Sequence, residues 1–202
     1  MLEILTGTGL AAAAGLNAYI PLLLMGIAGR IDWVQLPNGW LWLENEWVMV
    51  ILGVLLVIEI VADKVPAVDS INDWIQTVVR PTSGGIVFAG GIGTSTVAVD
   101  DPGTFFSSGA WIPVIIGIVL ALLMSLAKSA VRPLANLATG GAAAPALSTA
   151  EDGASIVLVI LAIVAPILVL IALGLMLFAF VELIRRVRRK RRERAAEAEQ
   201  LA

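Results

Sequence analysis

WIPVIIGIVLALLMSLAK, residues 111–128, carries no charge before its final lysine. The hydrocarbon core of a bilayer is about 30 Å thick and takes roughly 20 helical residues to cross, so this stretch reads as a transmembrane helix. Residues 5–28, 47–62 and 153–184 read the same way, the second short for a span and the last long enough to continue as helix into the cytoplasm. The chain as a whole agrees. Its 202 residues are 59% hydrophobic and 14% charged, where soluble domains are about a quarter charged, and the mean hydropathy is +0.95. There is no Cys and no His, which removes disulfides, thiolate nucleophiles, imidazole bases and nearly every zinc, haem or iron–sulfur site. No cofactor is expected. The N-terminus has neither the basic region nor the cleavage site of a removed signal peptide, so its first apolar stretch is expected to be a retained span.

Outward from residues 111–128, an internal repeat emerges. A shift of 64 positions lays Trp47 on Trp111, Val50 on Val114, Gly53 on Gly117 and Lys64 on Lys128. With residues 65–78 treated as an insertion, Val79-Arg80-Pro81 falls on Val131-Arg132-Pro133. The copies run over about 47–101 and 111–152. Each ends in a tract that is apolar or neutral but rich in Gly, Ala, Ser and Thr, 81–99 or 133–150, and is not a comfortable span. Backbone that breaks helix at membrane depth needs protein or water to satisfy it, so both tracts are expected as re-entrant hairpins with tips at Gly90-Gly91-Ile92-Gly93 and Gly140-Gly141. The expected fold is therefore an all-α integral membrane protein of about four transmembrane helices and two re-entrant hairpins in an inverted repeat.

Eight of the thirteen basic residues fall between Arg185 and Arg194. Positive charge is retained on the cytoplasmic side, so residues 1–184 form one transmembrane domain and residues 185–202 a cytoplasmic tail, basic and then acidic. Four spans put the N-terminus inside as well. Lys64 and Arg80 are then inside, and Arg30, Lys128 and Arg132 outside. The segment 30–46, with Trp33, Trp40 and Trp42, reads as an interfacial loop, because indole rings favour the headgroup zone.

Several polar residues stand out against this background. Arg80 and Arg132 precede prolines that can open a half-helix, and an arginine there can hold a phosphate or carboxylate bidentately; the plainer reading is snorkelling to the headgroups. Asn17 and Asn136 are the accompanying substrate-binding candidates, Asn17 having as its plainer role a hydrogen bond between helices. Glu59 and Asp63 share a helix face four residues apart, and with Lys64 they form a candidate proton or cation site or a local ion-pair cluster. Asp69 and Asp73 lie on the polar face of an amphipathic helix over 68–78 and complete the coupling set. Gly7, Ala11 and Gly15 form a ridge for close helix packing, and Pro166 predicts a kink.

The strings Gly15-Leu16-Asn17-Ala18-Tyr19-Ile20-Pro21 and Asp63-Lys64-Val65-Pro66-Ala67-Val68-Asp69-Ser70, followed by Val79-Arg80-Pro81, resemble an uncharacterised family of bacterial membrane proteins known as a domain of unknown function. The resemblance covers about residues 7–173. It implies a bacterial inner-membrane protein and transfers no activity. From the residues themselves, the leading expectation is a small transporter or lipid flippase for an anionic solute or headgroup, coupled to protons or cations through the carboxylates. The alternatives are an ion channel lined by Thr94, Ser95 and Thr96, or a non-catalytic membrane subunit in a homo-oligomer or partner complex. Membrane lipids are the expected partners and nucleic acid is not. An enzyme is not expected, since no Ser-His, metal-ligand or phosphate-loop pattern occurs.

Overall fold

The computed structural model describes residues 1–63, 66–93, 109, 111–139 and 144–200, and the side-chain surroundings of all of these except 66–71, 73, 131–139, 144, 183, 186–188 and 190–200. These residues form α1 (Leu2–Leu16), α2 (Tyr19–Arg30), a 3-10 helix (Asn38–Glu44), α3 (Glu46–Ala62), α4 (Pro66–Gly91), α5 (Trp111–Thr139), α6 (Ala144–Val164) and α7 (Ile167–Gln200). Among the described residues, Trp111–Ala130 and Pro145–Val164 are long and apolar enough to cross a membrane. The 3-10 helix and α3, bent by 65° at their junction, make a third crossing if taken together.

The expected first span, residues 5–28, is two helices. Asn17 is extended (φ −143°, ψ 122°), and its Oδ1 accepts from the backbone N–H of Tyr19 and Ile20 at 3.0 and 3.1 Å. That is how an asparagine caps a helix start, and Pro21 sits in the first turn behind it, where a missing N–H costs little. A straight helix would hold Gly7 and Met25 about 27 Å apart at 1.5 Å per residue. Instead Gly7 packs on Gly91, and Met25 on Gly90, at the end of α4. α1 and α2 therefore double back as a helical hairpin with Asn17 and Ala18 at its tip.

α1 is the axis of the bundle. Ala11, Ala12, Ala13 and Ala14 are all buried, and the helix packs against α4, α5 and α6; small side chains permit such close approach. α4 and α5 cross with backbones touching. Gly84 meets Gly117 and Ala121, Gly85 meets Val114 and Ile118, and Phe88 lies on Gly117, so the two helices run antiparallel. α6 is antiparallel to α1, since Asn17 bonds Asp152 while Thr6 Oγ1 donates to Ala162 O. The expected fourth span, residues 153–184, is divided between Val164 and Ile167 around Pro166, where a kink was expected. Past that break α7 folds back: Val169 packs on Gly9, and Phe180 shares a cavity with Leu16 and Glu151.

The two expected hairpins differ from what their described parts show. Pro81 and Pro133 lie inside α4 and α5, so neither Arg-Pro pair opens a half-helix. The amphipathic stretch 68–78 and the arm 81–91 are one helix. Breaking a helix into two orphans four carbonyls at the first end and four N–H groups at the next start, whereas running through a proline loses one bond and crowds one carbonyl. In an apolar surrounding the second cost is the smaller. Beside Pro81, Thr82 Oγ1 also donates to Val78 O at 2.8 Å. The turn comes only at Gly93, with φ +67°. Residues 94–99, with Thr94, Ser95 and Thr96, and the tip at Gly140-Gly141 lie outside the described residues. Because α4 and α5 are antiparallel, the positions of Arg80 and Arg132 lie toward the same end of the bundle, which removes the inverted relation expected of them. Trp47 and Trp111 both stand near a helix start, yet Gly53 faces open space where Gly117 is in tight contact.

Candidate functional site

The hairpin tip brings two helix ends into the interior. Side chains from three other helices bond carbonyls at the tip: that of Leu16, the last residue of α1 and without a helical partner there, that of Ala13, which also accepts from the Asn17 N–H, and that of Ala18 in the turn. Lys128 Nζ of α5 donates to Leu16 O at 2.9 Å, Ser155 Oγ of α6 to Ala13 O at 3.0 Å, and Ser83 Oγ of α4 to Ala18 O at 2.6 Å. A cation at the C-terminal end of a helix also complements the helix dipole. Asn17 ties the tip to α6 by donating from Nδ2 to Asp152 Oδ1 at 2.9 Å.

Around this tip is a buried network of charge. Lys128 Nζ lies 3.0 Å from Glu151 Oε2 and 3.7 Å from Asp63 Oδ2. Arg80 Nη2 lies 3.5 Å from Glu59 Oε1, and both side chains are 1% exposed. Asp63 also accepts from Asn72 Nδ2 at 2.8 Å and from Ser148 Oγ at 3.2 Å. The two cations face four carboxylates, Glu59, Asp63, Glu151 and Asp152. Two acceptor oxygens in this centre, Glu59 Oε2 and Gln76 Oε1, are buried without a hydrogen-bond partner among the described residues. Gln76 precedes Arg80 by one helical turn and so shares its face. Such a cluster is poor evidence of stability, because desolvation of buried ions offsets most of their attraction. It is the arrangement expected where ions or protons are handled.

Of the residues the sequence singles out, Asn17, Glu59, Asp63 and Arg80 meet in this centre. Asn17 serves there as a cap and a tie between helices, its oxygen and nitrogen both engaged. Asp69 and Asp73 lie on α4, and Arg132 and Asn136 on α5; their side chains, and all of Lys64, lie outside the described residues. The sequence reading missed Lys128, Glu151, Asp152, Gln76 and the serines. Lys128 and Glu151-Asp152 each flank an apolar run, and a charge in that place reads as the edge of a span. Their signal was present all the same: Ser125 with Lys128, and Ser148 with Glu151, Asp152 and Ser155, recur at three- and four-residue spacing and mark one polar stripe on each helix.

A helical hairpin with a polar tip set among buried charges, packed against helices long and apolar enough to cross a membrane, defines the class: an all-helical membrane protein with a polar centre. Within that class the chain belongs to the DUF4126 family, a domain of unknown function whose family model matches residues 4–186. No curated protein and no solved structure matches it.

Proposed function

We propose that this protein is a small transporter of the bacterial inner membrane that moves an anionic solute or lipid headgroup together with protons or cations. The observation that carries the reading is the helix break at Asn17, set against buried ion pairs. Broken helices with charged groups near the midplane are a recurring substrate and coupling site in secondary transporters. In this mechanism Arg80 is held by Glu59 while the site is empty. A proton taken up by Glu59 releases the guanidinium, which then grips the anion bidentately. Proton and anion enter together, so the net charge of the buried centre stays constant and neither ion is left uncompensated.

Membrane placement belongs to the same proposal. Arg80, Lys128 and the Arg132 position share one end of the bundle, toward which α7 also runs. With Lys64, which follows Asp63 in the chain, and the tail, twelve of the thirteen basic residues then lie toward the cytoplasmic end of the bundle, Arg80 and Lys128 buried within it, and Arg30 alone lies toward the outside, in line with the retention of positive charge inside. The chain would cross five times, through α3, α4, α5, α6 and α7, with α1 and α2 forming a re-entrant hairpin from the outside.

Reconstitution into liposomes, assayed in parallel for ion flux, anion uptake and lipid scrambling, tests the function. Transport should be abolished or lose its pH dependence in Glu59→Gln while the protein still folds. A folded wild-type protein that carries nothing above protein-free liposomes in all three assays would end the transporter reading and leave the membrane-subunit alternative.

A further inference from the structure

Beside the polar centre lies a cavity of about 600 Å³ between α1, α5, α6 and α7, a volume within the range of about 300–1,000 Å³ that binds small molecules. Along α1 it runs from Thr8 to Leu16, and along α5 from Leu120 to Lys128; eight residues of helix in each case make it about 12 Å long. Its walls are Ala, Leu, Met and Phe throughout, apart from Thr8 and the ion pair of Lys128 and Glu151. That pair lies toward one end, since Lys128 bonds Leu16 O and the two are the last lining residues of α5 and α1, with Leu147 and Ala150 of α6 just past Glu151. The cavity is not sealed. Leu123 and Leu177 line it and are 59% and 63% exposed, on helix faces that are apolar outside as well. A space of this kind facing a bilayer is filled by what adjoins it, because walls left without partner atoms forfeit their dispersion contacts.

We infer that this cavity is a binding site for one acyl chain of a membrane phospholipid, entered sideways from the bilayer between α5 and α7, with the headgroup at the Lys128–Glu151 end. Shape and chemistry agree: a long, narrow, apolar space with one charged end takes an amphiphile lengthwise and in one direction. The charged end offers both a cation and a carboxylate, so it complements a headgroup that carries a phosphate beside a hydrogen-bond donor. The inference stands apart from the transport reading. A protein that holds the lipid but moves nothing would retain this site and lose that function.

The test uses the full-length protein in liposomes doped with a phosphatidylethanolamine carrying a photoactivatable group midway along one acyl chain. After irradiation, digestion and mass spectrometry should find the adducts concentrated on Ala12, Met124 and Met176 inside the cavity. They should be lost in Ala12→Phe, which fills the space, and in Leu123→Trp, which narrows the mouth without touching the interior. Retention of helix content and melting temperature by Leu123→Trp excludes unfolding as the cause. Adducts spread evenly over the lipid-facing residues of α3, such as Val54 and Val57, at the same yield as the cavity would overturn the assignment. So would cavity labelling by a free fatty-acid probe where the phospholipid probe gives none.

Discussion

Lys128→Met removes a buried cation of the centre and keeps nearly its volume. In the native protein its ammonium holds Leu16 O at 2.9 Å, Glu151 at 3.0 Å and Asp63 at 3.7 Å, with 1% of the side chain exposed. Removing one member of a buried ion pair costs about 3–5 kcal/mol, since the partner is left charged or must take up a proton. At about 2–4 °C per kcal/mol for a chain of this size, the melting temperature should fall by on the order of 10 °C, read by tryptophan fluorescence in detergent. Two comparisons make the number diagnostic. Arg30→Met breaks the exposed pair of Arg30 with Glu46, which is worth about 0–1 kcal/mol, and should shift the melt by a few degrees at most. Lys128→Met with Glu151→Gln removes the stranded charge and should recover a large part of the loss. If Lys128→Met costs no more than Arg30→Met, or if the double variant is less stable than the single one, the ion pairing described around the hairpin tip is wrong.

Asn17→Ala should destabilise the protein by about 0.5–2 kcal/mol through loss of the α2 cap, while Asn17→Asp keeps the cap and should do worse at neutral pH by facing Asp152; an Asn17→Asp melt equal to wild type would sink the Asn17–Asp152 contact. Gly84→Ala and Gly117→Ala each force a methyl into the opposing backbone and should abolish stable expression, whereas Gly53→Ala meets nothing within 4 Å and should be neutral or gain up to about 1 kcal/mol of helix propensity. Equal effects at the three glycines, by thermal melt or yield, would refute the α4–α5 contact. For topology, single cysteines at Leu2 and Asn38 should both react with an impermeant maleimide on intact cells, and one at Arg194 only after permeabilisation; a Leu2 cysteine protected until permeabilisation would exclude the re-entrant placement of α1 and α2.

Reading α3 from sequence needed only local information. An apolar run between Asn45, whose side chain accepts from Trp47 N–H at 2.9 Å, and the charges at Glu59 and Asp63 states its own start and end. The same logic failed at Lys128, because a lysine that ends an apolar run looks alike whether it meets water or the carbonyl of another helix. It failed at Pro81 and Pro133 for a related reason. Proline removes one hydrogen bond and crowds the carbonyl a turn earlier, and whether the chain turns or continues depends on which neighbour covers the residues beyond it; after Pro81, Gly84, Gly85, Val87 and Phe88 are covered by α5 and the rest of the bundle.

The sequence by itself determined the medium, the helical class and the crowding of small residues on α1, because these follow from composition and from spacing along a single helix. It also marked Asn17 as a polar residue in need of a partner within a single span, and Glu59, Asp63 and Arg80 as charges in an apolar setting. Only the tertiary structure decided that the chain reverses at Asn17 and that α4 and α5 continue through Pro81 and Pro133. Only the fold brought Lys128, Glu151 and Asp152 to the same point as the charges already marked. The reason is physical: a helix specifies its own hydrogen bonds within four residues, but the partner of an orphaned carbonyl or a buried charge lies on another helix. Which helix that is depends on backbone contacts between glycines more than thirty residues apart, such as Gly84 and Gly117.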